Sequence, residues 1–92
     1  MVLYVITYDI PVNKRRKKVA DLLSGCGQRV QYSVFECFLS KAKLTELSSR
    51  LENQVNFSED SIRFYPLYVS NLGQIKIWGY PPLSKPKSST VI

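Results

Sequence analysis

The ninety-two residues contain no histidine, no cysteine pair at CxxC spacing and no apolar run as long as a membrane span. Each absence excludes a class of function. Without imidazole there is neither a histidine base nor a His-ligated zinc, so any general base is a carboxylate or a metal-activated water. Cys26 and Cys37 stand alone and read as reduced, mostly buried thiols rather than metal ligands. A bilayer-spanning helix needs about 20 apolar residues, and Met1-Val2-Leu3-Tyr4-Val5-Ile6 has neither that length nor a signal peptide's basic leader. A cytoplasmic protein with no membrane partner is expected. Acidic side chains are also scarce, seven against thirteen Lys and Arg, for a formal net charge of +6. A surplus of that sign selects phosphates as partners.

What is present is an ordinary globular composition, 45% hydrophobic and 22% charged, at a length that supports one two-layer core. Residues 2–9 are β-branched and aromatic with no polar face until Asp9, which predicts a central strand covered on both sides. Pro11 ends it, and Asn13 reads as a helix N-cap. Val19, Leu22, Leu23 and Cys26 then recur at helical spacing until Gly25 and Gly27, predicting a helix over 14–25. Residues 28–40 are strand-like, but their alternation slips between Ser33 and Phe35, which predicts two short strands or one with a bulge. Ser40 caps a second helix striped by Leu44, Leu47, Leu51 and Val55, and after Ser58-Glu59-Asp60 come a long strand at 61–69 and a short one at 74–78. Residues 1–80 form the expected domain. Residues 81–92, with three of the five prolines, several serines, Lys85 and Lys87, are expected to be a flexible tail.

This order predicts an α+β, ferredoxin-like βαββαβ sandwich: an antiparallel sheet with both helices on one face, plus a short extra C-terminal strand. The first strand is apolar on both faces, yet the helices cover only one. A homodimer through the sheets is therefore expected, with residues 75–78 a candidate for pairing across subunits.

Five consecutive cations, Lys14, Arg15, Arg16, Lys17 and Lys18, open the first helix. There the helix dipole disfavours each by about 0.3–1 kcal/mol, so helix stability does not explain them. Phosphate binding does. Free backbone N–H groups at the same terminus join arginine forks and lysine point charges around an anion. Asp9 lies five residues upstream of Lys14, and a carboxylate beside a phosphate is repulsive unless a cation lies between. Mg²⁺ takes one or two carboxylates plus phosphate oxygens and waters, so a two-fold dimer could share one ion between two copies of Asp9. The aromatic residues, Tyr32 among them, read as core by default, although Tyr8 and Phe35 are candidates to stack on bases. The aromatic signature of the RNA-recognition motif, which shares this topology, is missing.

Three segments together carry a resemblance: Tyr8-Asp9-Ile10 with the run Lys14 to Val19, then Gly27 to Cys37, then Asp60 to Leu67. Over residues 1 to about 80 the chain resembles the Cas2 family of small CRISPR-associated adaptation proteins. The resemblance implies a ferredoxin-like homodimer whose last short strand packs on its neighbour, and a Mg²⁺-dependent endonuclease acting on single-stranded RNA or double-stranded DNA. It also implies a role in spacer acquisition, bridging two dimers of the CRISPR integrase. The family's metal-binding aspartate falls on Asp9 and its tyrosine on Tyr8. Its helix-one arginine falls on Arg15 or Arg16, and its strand-two arginine, serine and phenylalanine on Arg29, Ser33 and Phe35. Two functions stay open: a phosphodiester hydrolase, and a non-catalytic adaptor that grips DNA through Lys14 to Lys18 and Arg29.

Overall fold

The computed structural model describes residues 1–87. Along the chain run β1 (Val2–Asp9), α1 (Asn13–Cys26), β2 (Gln28–Gln31), β3 (Val34–Leu39), α2 (Lys41–Glu52), β4 (Ser61–Leu67) and a one-turn α3 (Val69–Leu72). The strands form one antiparallel sheet in the order β2-β3-β1-β4. This is the expected α+β arrangement, with β1 between two partners as its apolar faces require.

Strand alternation assigns the two faces. Ile6 lies opposite Phe35 and Phe64, and Tyr8 opposite Ile62, on the side that meets the helices. Ile6, Val19, Leu23, Phe35 and Cys37 are fully buried there, with Leu47 and Leu51 of α2 closing the layer. Each fully buried aliphatic or aromatic side chain contributes about 1.5–3 kcal/mol. The intervening residues Leu3, Val5, Thr7 and Asp9 share the open face with Val34, Glu36 and Phe38 of β3 and with Ser61, Arg63, Tyr65 and Leu67 of β4.

Several local expectations are corrected. The N-cap of α1 is Val12, without a side-chain cap bond, and Asn13 is the first helical residue. Its amide oxygen is taken by Arg16 instead. Gly25 lies inside α1, and the cap is Gly27, whose N–H donates to the Leu23 carbonyl at 2.9 Å. The slip in alternation resolves as both features at once: a hairpin turn at Tyr32-Ser33 and a bulge between Arg29 and Gln31. Ser40 does cap α2, its hydroxyl accepting from the Lys43 N–H at 3.2 Å. β4 stops at Leu67 because α3 turns the chain at Val69.

The short strand expected at 74–78 is not formed within the chain. A strand needs a paired neighbour, and here the Gln74 and Ile75 N–H groups donate instead to the Asn71 and Leu72 carbonyls at 3.0 and 3.3 Å, continuing the turn of α3. Nor is the described part of the expected flexible tail free. Ser84 is 5% exposed, its N–H and hydroxyl both donating to Glu36 Oε1 at 3.0 and 2.8 Å. Lys87 Nζ reaches the Ser24 carbonyl at 3.0 Å. Residues 81–87 are thus tied to β3 through Ser84 and to the C-terminal half of α1 through Lys87. The remainder of the expected tail, 88–92, lies outside the described residues. Among the described residues no helix is long and apolar enough to cross a membrane.

Candidate active site and nucleic-acid interface

β1 delivers two consecutive side chains, Tyr8 and Asp9, to opposite faces of the sheet. Asp9 ends the strand on the open face, directly across from Ser61, with Thr7 and Arg63 the next pair along. Its carboxylate is exposed and has no hydrogen-bond or ion-pair partner among the described residues. An unengaged carboxylate is the hard oxygen donor that Mg²⁺ favours. Among the described residues, no group of three His, Cys, Asp or Glu side chains comes together as a ready metal site. One chain therefore supplies Asp9 alone. That fits Mg²⁺ if waters, substrate phosphates and a second carboxylate complete the shell.

Tyr8, on the helix face, borders a cleft of about 400 Å³ with Asn13, Arg16, Lys17, Ala20, Asp21, Arg29 and Tyr32. Arg16 is held by its surroundings: Nη1 donates to the Ile10 carbonyl at 2.7 Å and Nη2 to Asn13 Oδ1. Arg29 lies over the Phe35 ring, 5.2 Å from its centroid, and Phe35 stacks in turn on Tyr8 at 6.3 Å. Both rings belong to the core. Tyr8 is 6% exposed and Phe35 is fully buried, so neither offers a face to a base as the sequence suggested. Their place in the cleft is to support Arg29 and, through a long 3.5 Å contact, to present the Tyr8 hydroxyl to the Tyr32 carbonyl. Ser33 enters through its backbone, its carbonyl accepting the Tyr8 N–H at 3.1 Å.

The side chains of the basic run have different partners within the chain. Arg15 turns to the start of β4, where Nε and Nη2 grip both oxygens of Asp60 at 2.8 and 3.0 Å and Nη2 also reaches Glu59. That bond holds the Asp60 carboxyl below the usual carboxylate range and raises the Arg15 guanidinium. Arg15, expected among the phosphate ligands, is thus committed within the chain, and Arg16 is the arginine that faces the cleft. Lys17 pairs with Asp21 at 3.2 Å, while Lys14 and Lys18 are exposed without an ion-pair partner among the described residues. The cysteines take no part. Burial pushes the Cys37 thiol up to about 12 and raises that of Cys26, leaving both protonated and inert near neutral pH.

Besides Ala20, three residues of the cleft escaped sequence reading: Asn13, Asp21 and Tyr32. Tyr32 is 74% exposed at the hairpin tip, although its aromatic side chain reads as core. The slip in alternation at Ser33 was the signal, since a two-residue turn carries its side chains out of the sheet.

The family description "CRISPR associated protein Cas2" matches residues 1–75. A protein of Synechocystis, a CRISPR-associated endoribonuclease, is 61% identical over 92 residues spanning the whole of both chains. Among solved structures, Cas2 of Streptococcus pyogenes superposes with a TM-score of 0.75 at 35% identity, covering 84% of this chain and 99% of its own. A chain of a partial Cas6-RT-Cas1–Cas2 complex gives 0.66 at 33% identity, covering 84% of this chain and 90% of its own.

Proposed function

Since the chain belongs to the Cas2 family of CRISPR-associated proteins, we propose that it is a Mg²⁺-dependent endonuclease of antiviral adaptation, cleaving single-stranded RNA or double-stranded DNA and serving spacer acquisition. The observation that carries this reading is Asp9, an exposed and unengaged carboxylate on the one sheet face the helices leave open. Two chains packed through that face bring their Asp9 residues towards a shared axis. The dimer itself has a driving force. Tyr65, Tyr68, Val69, Ile77, Trp78 and Tyr80 are all exposed, and Trp78 and Tyr80 are 93% and 91% so. Such a cluster of large apolar side chains in and after β4 marks an interaction surface. It is where a neighbour's strand-forming segment 74–78 would pair.

In this reading the paired Asp9 carboxylates would hold the ion. Mg²⁺, when bound, supplies Lewis-acid stabilisation of phosphate charge and activates a water. Lys14 and Lys18 attract the backbone as point charges, and Arg16 and Arg29 offer planar forks to flanking phosphates. The expected setting is the cytoplasm, where nucleic acid and the CRISPR integrase are met.

A second reading is a non-catalytic adaptor that holds DNA between integrase dimers. It is favoured by the lone carboxylate of each chain and by likeness to a chain from a solved complex that includes Cas1. Asp9→Ala separates the two. For the nuclease, Mg²⁺-titrated cleavage disappears while binding of the same substrate, by anisotropy, stays within about twofold. If only the adaptor role operates in the cell, Asp9→Ala leaves spacer acquisition intact. Cleavage undiminished in the rigorously purified variant would sink the metal site.

A further inference from the structure

The cleft on the helix face is physically separate from Asp9 and differs from it in chemistry. It holds three cations, one carboxylate and two tyrosines. The carboxylate, Asp21, is already paired with Lys17 at 3.2 Å. Arg16 is fixed by a carbonyl and an amide, and Arg29 by an aromatic ring, so neither guanidinium is neutralised by a carboxylate. Two forks of this kind, converging on a cleft, call for a phosphate.

The aromatic component points further. Tyr32 exposes 74% of its surface at the tip of the β2–β3 hairpin and contributes nothing to the core. Its backbone is anchored, because the Tyr8 N–H bonds the adjacent Ser33 carbonyl at 3.1 Å. An exposed ring on an anchored turn is a ready stacking platform, since little entropy is lost when it is covered. Bases inside a duplex have both faces occupied by their neighbours, whereas an unpaired base has a face to give. A volume of about 400 Å³ is at the small-ligand end of binding pockets and does not enclose a duplex.

We infer that this cleft is a subsite for one unpaired nucleotide, its base stacked on Tyr32 and its phosphate held by Arg16 and Arg29. The inference rests on the nucleic-acid reading above but not on catalysis, because Asp9 faces the other side of the sheet. Asn13 and Asp21 line the same cleft, engaged by Arg16 and Lys17 respectively.

The test compares a labelled single strand with a blunt duplex of the same length, by anisotropy at fixed salt, for the intact protein and for Tyr32→Ala, Tyr32→Phe and Tyr32→Trp. The expected result is that Tyr32→Ala lowers the ratio of single-strand to duplex affinity by about 5- to 150-fold. Phe and Trp restore it, and the salt slope for the single strand is unchanged because the substitution removes no charge. Tyr32 is exposed, so the melting transition stays in place and loss of fold does not confuse the readout. A ratio unchanged in Tyr32→Ala, or single-strand and duplex affinities falling in parallel, overturns the subsite while leaving the nucleic-acid reading standing. Intact protein that binds neither probe overturns that reading and the subsite with it.

Discussion

At the scale of single residues, position within a repeating structure decides what each side chain can do. Gly27 follows α1 with an extended backbone, so its role is not conformational freedom but space. A Cβ there would meet the Cys37 Sγ at 2.5 Å, the Cys37 Cα at 2.9 Å and the Glu36 carbonyl, none of which can yield easily. Gly27→Ala is expected to destabilise by about 1–3 kcal/mol, the usual cost of overpacking, seen as a lower urea midpoint with an unchanged slope. The sequence shows a glycine at a helix end and invites a capping explanation. The packing requirement comes from β3, ten residues on, and is invisible without the register. The two arginines pose the same problem. Arg15 and Arg16 are adjacent and chemically identical, but a helix advances 100° per residue, so one meets Asp60 and the other the cleft. Nothing in the run of cations alone says which is which.

At the scale of elements, the Arg15–Asp60 pair ties α1 to the start of β4, and its effect on stability has a definite pH dependence. Asp60 is held below its ordinary value of 3.8, chiefly by the hydrogen bonds from Arg15. Its side chain is only 1% exposed, and it also accepts the Asn56 N–H at 2.9 Å. A depressed carboxylate contributes stability that is fully present above the unfolded-state value and lost as pH falls through the folded one. Asp60→Asn should therefore lower the melting temperature at pH 7, and the gap to the unaltered protein should close below about pH 3.8. A gap that is constant from pH 7 to pH 2 would count against this account. The major elements are legible because their signals are local: the 2–9 apolar run, the Ser40 cap and the Leu47–Leu51 stripe each need only neighbouring residues. What is not legible depends on partners far along the chain. Ser84 sits in a Pro- and Lys-rich stretch that reads as mobile, yet Glu36, half-buried on the open face, has two hydrogen bonds from it. Ser84→Ala removes one of those bonds and is expected to cost about 1–2 kcal/mol by thermal or urea unfolding.

At the scale of the whole molecule, the charge excess and the aromatic cluster describe two different surfaces. The first is tested by salt. Replacing Lys14 and Lys18 with serine should weaken single strands and duplexes alike and reduce the duplex log–log salt slope by about 0.9 for each phosphate no longer neutralised. Arg15→Ala should leave that slope unaltered while lowering stability, because its charge is spent on Asp60 and Glu59. The second surface is tested by sedimentation. A Trp78→Ser, Tyr80→Ser variant should shift from dimer towards monomer as concentration falls, and unchanged sedimentation would remove the aromatic cluster from the interface.

If the cleft and Asp9 both engage nucleic acid as proposed, their placement on opposite faces of the sheet makes the protein a gauge of length. A nucleic-acid strand that occupies the cleft and also presents a phosphate to Asp9 has to turn a corner around the end of β1, from one side of the sheet to the other. An oligonucleotide of one or two units fills one station and leaves the other vacant. Above a threshold length both stations are engaged at once, so binding and cutting should set in at different oligonucleotide sizes.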